Sequence, residues 1–410
     1  MRSRFLDILR KRDFLRIWTA QFLSQVVSNM LTFALILHIY DLTKSLTTIS
    51  LVMIASTIPS VIFGPFSGVL TDRVRYKKVL IYTNILRFLV ALLLIPAAHN
   101  TLAVLEIIFL MSTIGQFFSP AEMSSIPLIV KKDEIVAANS IYMTTLYGAL
   151  ILGYGIAGPI LSLIGSNWLF AIIALSYLIS AILISSMSNF DLKETTKGLS
   201  VINLARGLDS VWDSTKEGIK YIFSTKTISQ PMIKLAVGWA MLGSFIVLMP
   251  GFAEQAVGIS AKMAGIILIA PAGIGMLFAS YLLEKHKQWN KNKLITSGFE
   301  ICGITLLVLS LYSLYSFVSW SIMIAVILMI ILGLSAAFVY ISSQTLLHLH
   351  SSEHMRGRVF GVSAMFINLA LGLPALFIGG IADLTSPVFT LILLSLAIII
   401  YAASLMFDEE

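Results

Sequence analysis

Three ionisable residues stand well inside long apolar runs of the chain: Arg87, Glu106 and Glu300. A charge in hydrocarbon costs roughly 2.5–3.5 kcal/mol on insertion scales, so a residue kept there is expected to have a function. A partly dehydrated glutamate can take a proton from one side of a membrane and release it to the other. Glu106 is therefore the first candidate for proton coupling, with Glu300 the second. Arg87 is expected to anchor packing, to pair with an acid or to share in the coupling. Gln21, Gln25 and Asn29 recur at steps of four and draw a polar stripe along one helical face. Trp239, Phe245, Tyr340 and Gln344 bring aromatic and amide groups to two later apolar runs. Glu254 and Asp383 fall at the ends of runs and are expected to be solvated. The chain has no Gly-rich phosphate loop ending in Lys-Ser/Thr, no HExxH and no GxSxG, so neither catalytic residues nor nucleotide hydrolysis is expected. His348, His350 and His354 have no cysteine beside them to complete a zinc site, and no metal is expected.

The elements that carry these residues follow from composition and length. Of 410 residues, 58% are hydrophobic and 12% charged, with a mean hydropathy of +0.92. A soluble domain carries about 25% charge, which excludes a water-soluble globule. A single cysteine excludes a disulfide scaffold, and Cys302 cannot form an internal disulfide. A helix needs about 20 apolar residues to cross a bilayer, and twelve such runs are present, at roughly 14–40, 46–70, 79–97, 101–120, 138–163, 169–188, 231–252, 263–283, 294–314, 320–341, 359–379 and 387–407. Pro59, Gly64, Pro65, Pro159, Pro271 and Pro374 inside the runs suit helices in lipid and not a β-barrel. The expected fold class is all-α: a polytopic membrane protein with twelve transmembrane helices in two pseudo-symmetric six-helix bundles. The first run is too long for a signal peptide and reads as the first span.

Placing the N-terminus in the cytoplasm puts 25 of the 28 lysines and arginines on the cytoplasmic side, leaving Lys44 and Lys262 outside and Arg87 within a span. Both termini are thus expected to be cytoplasmic, in a cell membrane. Topology and an anionic inner leaflet account for the net charge of +7, and no nucleic-acid partner is expected. The chain divides into an N-terminal bundle, 1–188, a polar linker, 189–230, and a C-terminal bundle, 231–410. Within the linker Leu204, Leu208, Val211, Trp212, Ile219 and Ile222 have near-helical spacing, the mark of an amphipathic helix at the membrane surface. The halves are weak repeats: Ser280, Leu282, Glu284 and Lys285 stand where Gly68, Leu70, Asp72 and Arg73 stand, and 130–141 matches 350–361 without a gap, setting Asp133 against Glu353. Parallel repeats of this kind are common in secondary transporters, with the substrate site where the halves meet.

The loop Gly68-Val-Leu70-Thr-Asp72-Arg73-Val-Arg75-Tyr76-Lys77-Lys78 resembles the signature loop of the major facilitator superfamily. Phe118-Ser119-Pro120-Ala121 through Ala138-Asn139, and Met355-Arg356-Gly357-Arg358-Val359-Phe360-Gly361, are similar to its twelve-helix drug:proton antiporter branch, which contains macrolide efflux proteins and a siderophore exporter. The resemblance implies a gating role for Gly68, Asp72, Arg73, Arg356 and Arg358. Independently of it, Asp72 is suited to a helix N-terminus or to guanidinium partners. Gly153-Tyr154-Gly155-Ile156-Ala157-Gly158-Pro159 resembles the antiporter motif of exporters, which makes Gly158 and Pro159 gating candidates; the small residues Gly265, Ala270, Ala272, Gly273 and Gly275 of the eighth span are a candidate packing partner. Arg75 and Tyr76, and Ile160-Leu161-Ser162-Leu163, depart from the family pattern. Because the first, fourth, seventh and tenth helices line the cavity in this family, Gln21, Gln25, Asn29, Trp239, Phe245, Tyr340 and Gln344 become substrate-cavity candidates.

The expectation is a proton-coupled exporter of small lipophilic or amphipathic compounds, of drug or macrolide type, working by alternating access. The proton gradient supplies energy, no cofactor is needed, and the partners are substrate, protons and membrane lipids, with the protein a monomer. A lipid or lysophospholipid flippase of the same fold is one alternative. A polytopic membrane enzyme or sensor is another, disfavoured by the scattered intramembrane charges.

Overall fold

The computed structural model describes residues 8, 10–71, 74–131, 134–188, 201–314, 318–352 and 354–407. Among them every long element is a helix: α1 Arg12–Thr43, α2 Leu46–Thr71, α3 Tyr76–Ala97, α4 Thr101–Ile129, α5 Ile135–Ser185, α6 Val201–Ser224, α7 Lys226–Phe252, α8 Ala270–Lys285, α9 Lys291–Leu314, α10 Val318–His350, α11 Arg356–Leu384 and α12 Pro387–Phe407. Lipid offers backbone groups no hydrogen bonds, so apolar runs of this length close theirs internally. Hydroxyls inside the spans follow suit by bonding one turn back: Thr113 Oγ1 donates to the Phe109 carbonyl at 2.8 Å and Ser310 Oγ to Leu306 at 2.7 Å.

Eleven of the helical segments are long and apolar enough to cross a membrane. One of them, within α5, covers two of the expected spans. Gly165 interrupts α5 with φ 78° and ψ 171°, so its 51 residues are two helices joined across a kink, in the gap between the fifth and sixth expected spans. That backbone region is open essentially to glycine alone and costs other residues about 1–3 kcal/mol. Gly165→Val should therefore lower stability by that amount in a detergent melting assay, although no atom stands within 4 Å of a β-carbon there. The fourth and tenth spans extend beyond their expected ends, to Ile129 and His350. In α4 both Pro120 and Pro127 are absorbed inside the helix.

The chain forms two compact units, one comprising Met1–Leu35 and Ile58–Asp213, the other Ile36–Thr57 and Ser214–Glu410. In the first, Ile17, Ala20, Leu80, Phe118, Ala121 and Ile184 form one buried cluster, and Phe14, Ile126, Ala138 and Tyr142 belong to another. α1 and α5 meet closely at Gly153, where a β-carbon would stand 2.6 Å from Asn29 Cβ and 2.7 Å from the Val26 carbonyl oxygen. Trp18 Nε1 donates to Thr145 Oγ1 at 2.8 Å, and Ser180 Oγ to the Ala20 carbonyl at 3.2 Å. Lys11 pairs with Glu134 at the start of α5, and this hydrogen bond holds the Glu134 carboxyl below the ordinary carboxylate range.

In the second unit small residues set the helix spacing. A β-carbon on Gly275 would stand 1.9 Å from the Ile330 carbonyl oxygen, and one on Gly333 would stand 1.8 Å from that of Ala272. The small-residue face of α8 is thus packed on α10. Gly243 makes the same approach to Leu371, joining α7 to α11. Ile222, Ile228, Met232, Leu235, Leu347 and Val359 form a buried cluster that holds the end of the linker helix α6.

Candidate functional site

Arg87 of α3 is buried in the first unit. Its guanidinium carbon lies 4.6 Å from the Phe118 ring centre and 5.6 Å from that of Tyr177, so two aromatic faces attract the cation. Gly115 makes room for it, since a β-carbon there would stand 3.0 Å from Nη2. Glu122 of α4 is also buried, accepts a hydrogen bond from the Tyr142 hydroxyl at 3.0 Å and lies in the field of Arg87. A buried carboxyl group needs a hydrogen bond or a proton to offset its desolvation, and the Tyr142 hydroxyl supplies the first. Beside it lies a narrow pocket walled by Phe14, Trp18, Gln21, Glu122, Ile126 and Tyr142. Gln21 Nε2 is buried there with no hydrogen-bond partner among the described residues, a donor free to meet a ligand or water.

The residues singled out from sequence fall into several places. Arg87 and Gln21 belong to the buried cluster. Gln25 is half-buried on α1, as is Asn29, which packs against Gly153. Glu106 is exposed on α4 and Glu300 half-buried on α9. In the second unit Trp239 meets Tyr340 edge to face at 5.7 Å, Phe245 is buried and Gln344 half-buried. Gly68 is half-buried, and its carbonyl accepts from Thr71 Oγ1 at 2.9 Å. Gly158 is buried and Pro159 half-buried within α5. Asp72, Arg73, Asp133 and Glu353 lie outside the described residues. Arg358 pairs with Glu217 of α6 at 2.7 Å, and the Arg356 Nε–H has no acceptor among the described residues.

Glu122 was not legible as an intramembrane acid because the fourth run was expected to stop at Pro120. The missed signal is the apolar sequence that resumes at Met123 and continues to Val130. A proline within a membrane helix need not end it. Asp383 is exposed and Glu254 half-buried, and both are also engaged: Asp383 accepts three hydrogen bonds, and Glu254 pairs with Lys44 at 3.7 Å.

Among the described residues, eleven helical segments are long and apolar enough to cross a membrane, with charge held at a few buried points, which marks a polytopic membrane protein. The chain belongs to the Major Facilitator Superfamily, whose sequence model matches residues 17–375. Macrolide efflux protein A of Streptococcus pyogenes is 26% identical over 381 residues, covering 88% of this chain and 87% of that protein. BacE of Bacillus subtilis (strain 168), named as a candidate bacilysin exporter, is 24% identical over 335 residues, 80% of this chain and 78% of its own. The crystal structure of the nucleoside transporter NupG has the same fold, with a TM-score of 0.75 at 15% identity over 96% of this chain and 98% of that one.

Proposed function

We propose that the protein exports small lipophilic or amphipathic compounds from the cell in exchange for protons, by alternating access, with both termini in the cytoplasm of a cell whose plasma membrane it spans. The observation that carries this reading is the buried Glu122, which accepts a hydrogen bond from Tyr142, feels the charge of the buried Arg87 and lines a narrow pocket with Gln21. A carboxylate there has two ways to offset its desolvation, the Arg87 charge or a proton, and exchanging them couples protonation to the packing of α3, α4 and α5. Glu106, exposed, and Glu300, half-buried, lack this constellation and come second and third as coupling groups. The similarity to proteins named for macrolide efflux and bacilysin export supports outward transport. Neither cofactor nor metal enters the scheme; the proton gradient drives it.

Transport by purified protein in liposomes tests this. A fluorescent lipophilic cation or a macrolide should move against its gradient when a pH gradient is imposed, and an ionophore that collapses the pH gradient should stop it. Drug movement indifferent to the pH gradient, with flipping of a labelled lysolipid in its place, would overturn the reading in favour of lipid transport.

A further inference from the structure

α8 has two unlike faces. Gly275, Ala279 and Leu283 turn inward, the first against the Ile330 carbonyl and the others into a buried cluster with Leu294, Ala337 and Phe338. Ile274, Leu277, Phe278 and Tyr281 turn outward, and each is more than half exposed. Their steps of three and four draw one apolar line along the helix. The next step of four leads from Tyr281 to Lys285, the last residue of α8. From Ile274 to Lys285 the line runs for about 16 Å at the helical rise per residue, close to half of a ~30 Å hydrocarbon core.

The turn that follows is basic and aromatic. Lys285, Lys287, Lys291 and Lys293 crowd into it, and Glu284 is the one acid between Tyr281 and Leu294. Lys285, Lys287 and Lys293 are exposed, and none of the three enters an ion pair among the described residues. Lys291 Nζ donates to the Lys287 carbonyl at 3.2 Å. His286 and Trp289 stack face to face, their ring centres 4.5 Å apart and their planes 4° from parallel. The Trp289 N–H also bonds the His286 carbonyl at 3.1 Å, which fixes the turn. At the start of α9, Asn290 Oδ1 already accepts from the Asn292 and Lys293 N–H groups at 2.9 and 3.3 Å. The lysine side chains, and not the capped backbone, are thus left to meet an anion.

We propose that this turn and the outer face of α8 bind one anionic phospholipid. Lys285 and Lys287 hold its phosphate, Trp289 lies at the level of its glycerol, and an acyl chain follows Tyr281, Phe278, Leu277 and Ile274. An indole, apolar with one polar N–H, belongs at the headgroup level of a bilayer. Exposed lysines beside it attract negative lipid. A zwitterionic lipid brings the same chains but no net charge to answer the lysines, so charge selects the lipid and the apolar line orients it. The inference rests on the helices spanning a membrane, and on no particular substrate or coupling residue.

Native mass spectrometry of the full chain in detergent, with phosphatidylglycerol and phosphatidylcholine supplied in equal amounts, tests this. The wild type should retain one phosphatidylglycerol in preference to phosphatidylcholine. Lys285→Gln with Lys287→Gln should weaken phosphatidylglycerol binding at least about tenfold. Trp289→Ala should weaken both lipids by less and keep the preference. Arg10→Gln with Arg12→Gln removes the same charge from another exposed segment and should bind as the wild type does. Unchanged phosphatidylglycerol binding in the lysine variant would overturn the proposal. So would an equal loss in the arginine variant, which would mean a general attraction to positive charge. Glycerol 1-phosphate in excess should leave the lipid in place; its displacing the lipid would give the turn to a soluble phosphate instead. Lipid binding is read without substrate or gradient, so these outcomes are separate from any failure of proton-coupled transport.

Discussion

Glu122→Gln should reduce gradient-driven transport to the background of protein-free vesicles while leaving substrate binding nearly unchanged. The glutamine is close to isosteric and its carbonyl oxygen can still accept from the Tyr142 hydroxyl, which donates to Glu122 Oε2 at 3.0 Å. What it cannot do is change charge. A structural role for Glu122 would be kept by the amide, and stability should fall by no more than about 1 kcal/mol, the net worth of one hydrogen bond. A coupling role would be lost outright, so the two roles give opposite results in one variant. Glu106→Gln is the control: on the exposed surface of α4 it should leave coupling intact. The reverse pattern, a silent Glu122→Gln beside a dead Glu106→Gln, would return the coupling role to the residue favoured from sequence. Measurement of drug uptake under a pH gradient, alongside equilibrium binding in detergent, separates the two.

Arg87→Leu should have the largest effect on stability. It strips a buried guanidinium from between Phe118 and Tyr177 and removes the positive charge whose field reaches Glu122. Losing a desolvated cation–π site costs about 2 kcal/mol or more, a sizeable share of the roughly 5–15 kcal/mol that holds a domain together. Arg87→Lys should recover part of this, since a lysine keeps the charge but not the flat face that stacks on the rings. The double variant Arg87→Leu with Glu122→Leu should lose less than the sum of the singles, because neither charge is then stranded. Thermal melting of the wild type, Arg87→Leu, Arg87→Lys, Glu122→Leu and the double variant, followed by size-exclusion fluorescence, checks this. Additive losses would mean that Arg87 and Glu122 act independently and would detach Arg87 from the site.

Much of the fold was written in the chain at a scale that needs no tertiary information. Runs of twenty apolar residues force helices in lipid, and Gly165 falls in the gap expected between the fifth and sixth spans. Arg87 was legible for the same reason, being a charge in the middle of such a run. Other parts depend on which helices meet, and spacing does not encode that. Glu122 became a site only when Tyr142, twenty residues later, and Arg87 were brought to it. Asp383 reads as an acid at a helix end until the N-terminus of α2 is found against it. Arg358 finds Glu217 on the linker, a pairing that no local pattern announces. Gly275 was legible as part of a small-residue face but its partner was not, and Gly243 and Gly333 gave no sign: each matters because a carbonyl of another helix lies where its β-carbon would be.

The most direct measurement is the proton release that accompanies substrate binding, followed with a pH indicator in weakly buffered detergent solution. On addition of a lipophilic cation or macrolide, the wild-type protein should release protons and Glu122→Gln should release none while still binding. Equal proton release from both proteins would contradict the assignment of coupling to Glu122.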